Sequence, residues 1–179
     1  MADSLKPYLS SEKIAQLNQE LGEKITRDYR AILKPDEALL VIVTLKGAMI
    51  FASDLVRHID VPLEIDFVRL ASYGAGTQSS GTVRFVKDIE TEVANKHLLV
   101  LDEIVDSGRT LDFLIARLNS QNAASIKIGA LLSKPSRREF EVPVDYVGME
   151  VEDEFLVGYG LDFNEKYRQL KDICVLSQA

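Results

Sequence analysis

At 179 residues the chain suits a single domain spanning its whole length, with room for a substantial core and too little for two ordinary domains. Apolar residues make up 46% of it, yet no apolar stretch approaches the roughly 18 residues a membrane span needs and the start "MADSLKPYLSSEK" lacks the pattern of a signal peptide, so a cytoplasmic protein with no membrane partner is expected. The net charge of -7 disfavours nucleic acid as a partner, because that needs a basic face, and requires any small anionic ligand to be held by local cations.

In chain order, residues 10 to 32 place Ile14, Leu17, Leu21, Ile25 and Ile32 at helical spacing behind the capping candidates Ser10 and Ser11, which predicts an amphipathic helix. "ALLVIVTL" (38 to 45) reads as a strand buried on both faces, "AMIFASDLVRHI" (48 to 59) as a helix, and "LEIDFVRL" (63 to 70) as a strand with period-2 alternation. A second strand, helix, strand unit follows: "HLLVLD" (97 to 102), a helix from about 109 with Leu111, Leu114, Ile115 and Leu118 on one face, and "SIKIGALL" (125 to 132). Two such units predict an α/β fold with a mostly parallel sheet flanked by helices and joined by right-handed crossovers. The short strands in "VDYVGMEV" and "DICVL" either extend the sheet or form a cap. Cys174, in "DICVL", is the only cysteine, so no internal disulfide is possible, and a plain buried thiol is expected.

The most informative stretch is "LLVLDEIVDSGRTLDFLI" (98 to 115), an apolar run ending in acids before a turn into a helix. In an open parallel sheet, ligands bind beyond the carboxyl ends of the strands. There Asp106, Ser107, Gly108, Arg109 and Thr110 have the makings of a phosphate cradle: Gly108 permits close backbone approach, the hydroxyls donate, and the helix start presents free N–H groups. The spacing is neither that of the triphosphate P-loop nor that of the dinucleotide fingerprint, and on spacing alone an ordinary capped turn reads equally well. Asp102, Glu103 and Asp106 tip the reading. Three carboxylates beside such a turn repel one another unless hydroxyls or a metal lie between them, which suits a sugar phosphate.

"LLVLDEIVDSGRTL" resembles the diphosphoribosyl-binding signature of the type I phosphoribosyltransferases. Together with "TLKGAMIF" (44 to 51), "SYGAGTQSSG" (72 to 81), "LLSKPSRR" (131 to 138) and "VDYVGMEVEDEFLVGYGLDFNEKYR" (144 to 168), it resembles the hypoxanthine-guanine branch over roughly residues 38 to 176. The resemblance implies the fold of that family, with a small hood formed by terminal segments. It also implies transfer of 5-phosphoribosyl from 5-phosphoribosyl 1-diphosphate to a 6-oxopurine with Mg2+, in a homodimer or homotetramer.

On the family's pattern Asp102 and Glu103 face the ribose hydroxyls, Asp106 takes the proton from purine N7, and residues 106 to 110 hold the 5-phosphate. Lys46 and Gly47, after a Leu45–Lys46 bond that is often cis in the family, and Arg168 bind pyrophosphate; Asp162, with Asp102 and Glu103, serves the metal. Ser72 and Tyr73 belong to a lid, while Lys134, Phe155 and the Leu156 backbone meet the purine. Taken alone, Lys46, Asp162, Arg168 and Phe155 read more simply as a solvated lysine, a turn aspartate, a surface ion pair and a core aromatic. Two departures stand out: the family usually has Glu then Asp where this chain has Asp102 then Glu103, and Glu154 replaces a basic residue, making residues 150 to 154 acidic. The rival readings are a transferase for xanthine or a pyrimidine, and a regulator that keeps the diphosphoribosyl site; the acidic balance disfavours the regulator.

Overall fold

The computed structural model describes residues 4–73 and 82–177. The lid expected over 72 to 81 falls largely outside them, as do the side chains of Ser72 and Tyr73. In chain order the elements are β1 (Ser4–Leu9), α1 (Ser11–Arg30), β2 (Leu39–Leu45), α2 (Ala48–Leu55), β3 (Leu63–Tyr73), β4 (Thr82–Lys87), β5 (His97–Val105), α3 (Arg109–Asn119), β6 (Ser125–Ser133), β7 (Tyr146–Glu150), β8 (Leu156–Val157) and β9 (Ile173–Ser177). Short 3-10 turns lie at Val56–His58 and Pro135–Arg137.

Six strands form one sheet in the order β4-β3-β2-β5-β6-β7, parallel throughout except for the edge strand β4, which pairs antiparallel to β3. The central strands β2 and β5 are apolar because helices cover both their faces. Val41, Val43, Leu99 and Leu101 join the core beneath α1 and α2, whereas Leu40, Ile42, Leu98 and Val100 join the one beneath α3. A second sheet, β1-β9-β8, is antiparallel and forms the hood. Of the two segments left open by the sequence, then, "VDYVGMEV" extends the main sheet as β7 and "DICVL" caps it as β9. Cys174 is a buried free thiol.

Three expectations are corrected. The first helix ends at Arg30 rather than 32, and Ile32 is exposed, because the chain turns at Ala31. The strand expected to stop at Asp102 runs on to Val105, pairing Ile104 with Leu132 and Val105 with Ser133, so Glu103 as well as Asp102 lies inside the strand. The helix over 48 to 59 is α up to Leu55 and tightens into a 3-10 turn. Strand β1 went unread because it is mostly exposed and carries Pro7, tolerated only at an edge, where the pairing register shifts.

Candidate active site

The site is built at the carboxyl ends of β2 and β5, where both chains must leave the sheet and enter helices. Gly108 adopts φ +83, a left-handed conformation that a side chain would strain, and a Cβ there would lie 2.8 Å from the Phe140 carbonyl. The turn is fixed from outside: the backbone N–H groups of Glu139 and Phe140 both donate to the Ser107 carbonyl at 3.0 Å. A cavity of about 90 Å³ opens in front of it, lined by Asp102, Asp106, Ser107, Gly108 and Thr110. Arg109 turns away, pairing with Glu139 at 3.0 Å and lying over the Phe140 ring, so only its backbone N–H faces the helix start.

The two adjacent acids are held differently. Thr44 Oγ1 is 2.7 Å from Asp102 Oδ1, and the Glu103 N–H donates to the same oxygen at 3.1 Å. The Glu103 carboxylate lies against Gly47, where a Cβ would overlap it. Burial pushes both carboxyls above the usual carboxylate range. The Asp102 charge adds to the rise at Glu103 and Arg168 opposes it, while the neighbouring Thr44 hydroxyl opposes it at Asp102. With only Arg168 partly offsetting their charge, such a buried pair is suited to hydroxyl donors or a cation.

Facing Glu103 is the loop 158 to 168, rich in left-handed backbone: Gly158, Tyr159, Gly160, Asn164, Glu165 and Tyr167 all have positive φ. Non-glycine residues held this way cost energy that surrounding structure must offset, a pattern typical of functional loops. Gly160 packs on the Gly47 carbonyl, leaving no room for a Cβ. Arg168 donates to the Gly160 carbonyl at 2.7 Å and pairs with Asp162 at 2.8 Å and Glu165 at 3.3 Å; its Nε is buried without a partner among the described residues. Lys46 follows a cis Leu45–Lys46 bond and reaches Glu165 at 3.0 Å. The loop thus brings Lys46, Gly47, Glu103, Asp162 and Arg168 together, with two cations able to meet an anionic ligand.

On the other side, Lys134 is buried, and its backbone N–H donates to the Val105 carbonyl at 2.9 Å. Its ammonium donates to the Glu154 carbonyl at 2.7 Å, with the Asp153 carboxylate at 3.5 Å. The partner that a buried cation requires is therefore already present in the chain, and one of its three donors stays available. Phe155 is half exposed, edge-on to Phe163 at 5.6 Å, and Leu156 is buried where β8 pairs with β9. Thr44, Gly160, Glu165, Arg137 and Asp153 were not singled out from the sequence as site residues. Of these, Glu165 had a visible signal, lying three residues before Arg168.

A phosphoribosyl transferase domain model matches residues 4–164. The hypoxanthine-guanine phosphoribosyltransferase of Bacillus subtilis is 45% identical over 177 residues, covering 99% of this chain and 96% of that protein. The chain belongs to the hypoxanthine-guanine phosphoribosyltransferase family. Its Mycobacterium tuberculosis relative of the same name is 41% identical over 169 residues, 94% of this chain and 84% of that one. The crystal structure of a Staphylococcus aureus hypoxanthine phosphoribosyltransferase superposes with a TM-score of 0.89 at 39% identity, covering 96% of this chain and 91% of that one. The sheet with its hood is therefore the type I phosphoribosyltransferase fold.

Proposed function

We propose that the protein transfers the 5-phosphoribosyl group of 5-phosphoribosyl 1-diphosphate to hypoxanthine or guanine, releasing pyrophosphate and forming IMP or GMP in purine salvage. The observation that carries this reading is the placement of Glu103 between Gly47 and Arg168, next to Asp102 and the α3 cradle. An acidic pair for ribose hydroxyls, a helix start for the 5-phosphate and two cations for the diphosphate meet there.

In this reading the turn 106 to 110 binds the 5-phosphate through Ser107, Thr110 and backbone N–H groups, the Arg109 N–H among them. Asp102 and Glu103 accept the ribose hydroxyls. Lys46, the Gly47 backbone and Arg168 hold the diphosphate, with the unpartnered Arg168 Nε supplying a donor. As the bond at the anomeric carbon breaks, positive charge develops on the ribosyl ring, which the nearby carboxylates stabilise. Asp106 accepts the N7 proton of the purine. Lys134 donates to the 6-oxygen, Phe155 covers one face of the ring and the Leu156 backbone meets its edge. Ser72 and Tyr73 are proposed to close over the reacting centre and exclude water.

Mg2+ is the proposed cofactor. The fit rests on the acidic pair, two buried adjacent carboxyls, and on Asp162, which with Asp102 and Glu103 supplies hard oxygen donors. Among the described residues no three such side chains form a ready cluster, so the three acids would share the ion with substrate oxygens. When bound, Mg2+ neutralises the diphosphate leaving group.

A homodimer or homotetramer is proposed from the apolar surface beside α2. That helix covers β2 and β5 but leaves exposed Ile65 and Phe67 of β3, which by their pairing with Val41 and Val43 lie on the same sheet face, and Met49 of α2 is exposed as well. No helix among the described residues is long and apolar enough to cross a membrane; a cytoplasmic location is proposed. The test is to supply labelled hypoxanthine, guanine, xanthine, orotate or uracil with 5-phosphoribosyl 1-diphosphate, with and without a chelator. Chelator-sensitive IMP and GMP formation is expected. Preference for xanthine or a pyrimidine, or no turnover at all, would refute the reading.

A further inference from the structure

Between the proposed general base and the proposed purine-binding lysine lies a run of charged side chains that the reaction as described does not use. Arg137 Nε is 3.3 Å from Asp106 Oδ1, and its Nη1 is 3.6 Å from Asp153 Oδ2. The other oxygen of Asp153 is 3.5 Å from Lys134 Nζ. One carboxylate on the hood side therefore faces the recognition cation with one oxygen, and with the other a guanidinium that also touches the base.

We propose that Arg137 and Asp153 are positioning residues that link occupancy of the purine pocket to the placement of Asp106, a proposal that rests on the reading of Asp106 as general base and Lys134 as ligand of the 6-oxygen. The local structure supports a fixed relay. Arg137 closes the 3-10 turn Pro135–Arg137, its N–H donating to the Lys134 carbonyl at 3.1 Å, so cation and guanidinium are held one turn apart. Arg138 secures the neighbouring backbone by donating to the Asp106 carbonyl at 3.1 Å and to Ser133 Oγ at 2.9 Å. Glu139, which also acts on Arg137, is paired with Arg109, and Glu150 and Glu152 lie beside Pro135 and Ser136 of the same turn.

The Lys134 ammonium makes a short bond to the Glu154 carbonyl and a long contact to Asp153, 2.7 Å against 3.5 Å. The long contact is the weaker, and it is the one that loosens when a 6-oxygen takes up the ammonium's third donor. Asp153 then has Arg137 as its main cation, and the rigid planar fork of arginine meets the two carboxylates from separate nitrogens, Nε toward Asp106 and Nη1 toward Asp153, a fixed geometry that a flexible lysine does not reproduce. Filling the purine pocket thus tightens Arg137 on Asp153 and orients the group that steadies Asp106. The side chains of Arg137, Asp106 and Asp153 are about half exposed, and exposed ion pairs contribute little to stability, so breaking them spares the fold.

The test compares single-turnover rates at saturating substrates, which slow product release does not mask, with KM for hypoxanthine in Arg137→Ala, Arg137→Lys, Asp153→Asn and the double variant Arg137→Ala with Asp153→Asn. Arg137→Ala is expected to slow turnover about 10-fold with KM within about twofold and Tm within about 2 °C, as for a surface change. Asp153→Asn should slow it by a similar factor, the double variant should be no slower than Arg137→Ala, and Arg137→Lys should restore only part of the rate. Unchanged turnover in Arg137→Ala, or two losses that multiply in the double variant, would overturn the proposal while an impaired Asp106→Asn leaves the base reading standing. Full turnover in Asp106→Asn would overturn both.

Discussion

The carboxylate of Glu103 occupies the space that a side chain on Gly47 would fill. Gly47 has ordinary right-handed backbone, φ -63, so the glycine is required by this close approach and not by its own conformation. The atoms in the way are the far end of a flexible side chain, which can swing aside.

Gly47→Ala is therefore expected to displace Glu103 without unfolding the protein. The KM for 5-phosphoribosyl 1-diphosphate should rise about 10-fold or more, equivalent to about 1.4 kcal/mol of lost binding, while the melting temperature changes little. Steady-state kinetics beside a thermal melt check this. Collapse of the melting temperature with normal KM in the surviving fraction would make Gly47 a packing residue only.

Asp106→Asn keeps the shape of the turn and its hydrogen bonds but removes the proton acceptor. Turnover should fall roughly 10²- to 10⁴-fold with ribosyl diphosphate binding retained. Rapid-quench kinetics and calorimetry on the same preparation separate the two effects. A variant with unimpaired turnover would remove Asp106 from the proton transfer.

Acid stability is expected to depend on Asp66, a buried carboxylate far from the reaction. Burial alone would raise its pKa, but the N–H groups of Thr91, Phe67 and Glu90, at 2.8, 2.6 and 2.8 Å, bring it down to about 2. Because the folded value lies below the unfolded one of about 3.9, the group stabilises the fold fully above that pH and its contribution is lost as pH falls toward 2. The contribution is on the order of 2–3 kcal/mol. Denaturant unfolding between pH 2 and 7 should show Asp66→Asn less stable at neutral pH and less sensitive to acid. Parallel curves for both proteins would contradict the assignment.

Much of this architecture was legible because its signals are local. The α3 cradle, the acidic pair and the alternating apolar strands each lie within a dozen residues of sequence, and "TLKGAMIF" pointed to Lys46 and Gly47. The missed features depend on distant partners. Thr44 reaches Asp102 across a strand pair, Asp153 and Arg137 meet only after the hood folds over the sheet, and Gly160 is fixed by the Gly47 carbonyl. Strand β4, "TVRFVK", had an alternating pattern that the polar stretch before it obscured. Glu154 stood out as an acidic replacement, yet its contact with Lys134 is made by the backbone carbonyl, which any residue supplies.

Substitutions in the purine pocket should separate recognition from stacking. Lys134→Gln is expected to lose most activity with hypoxanthine and to narrow its advantage over adenine, since an amide can both donate and accept. Phe155→Leu should weaken all purines to a similar degree, because apolar cover over a ring does not read its edge. Competition assays with the two bases distinguish these outcomes, and an equal loss for every purine in both variants would deny Lys134 its role.

The central claim is that a buried ammonium selects the 6-oxygen, and the most direct measurement is the ratio of kcat/KM for hypoxanthine to that for adenine in the unmodified protein. An ammonium opposes the 6-amino group donor to donor, and a site built around one buried hydrogen bond discriminates by about 10⁴-fold when that bond cannot form. A ratio of that order is predicted. Comparable values for the two bases would contradict both the assignment of Lys134 and the use of 6-oxopurines.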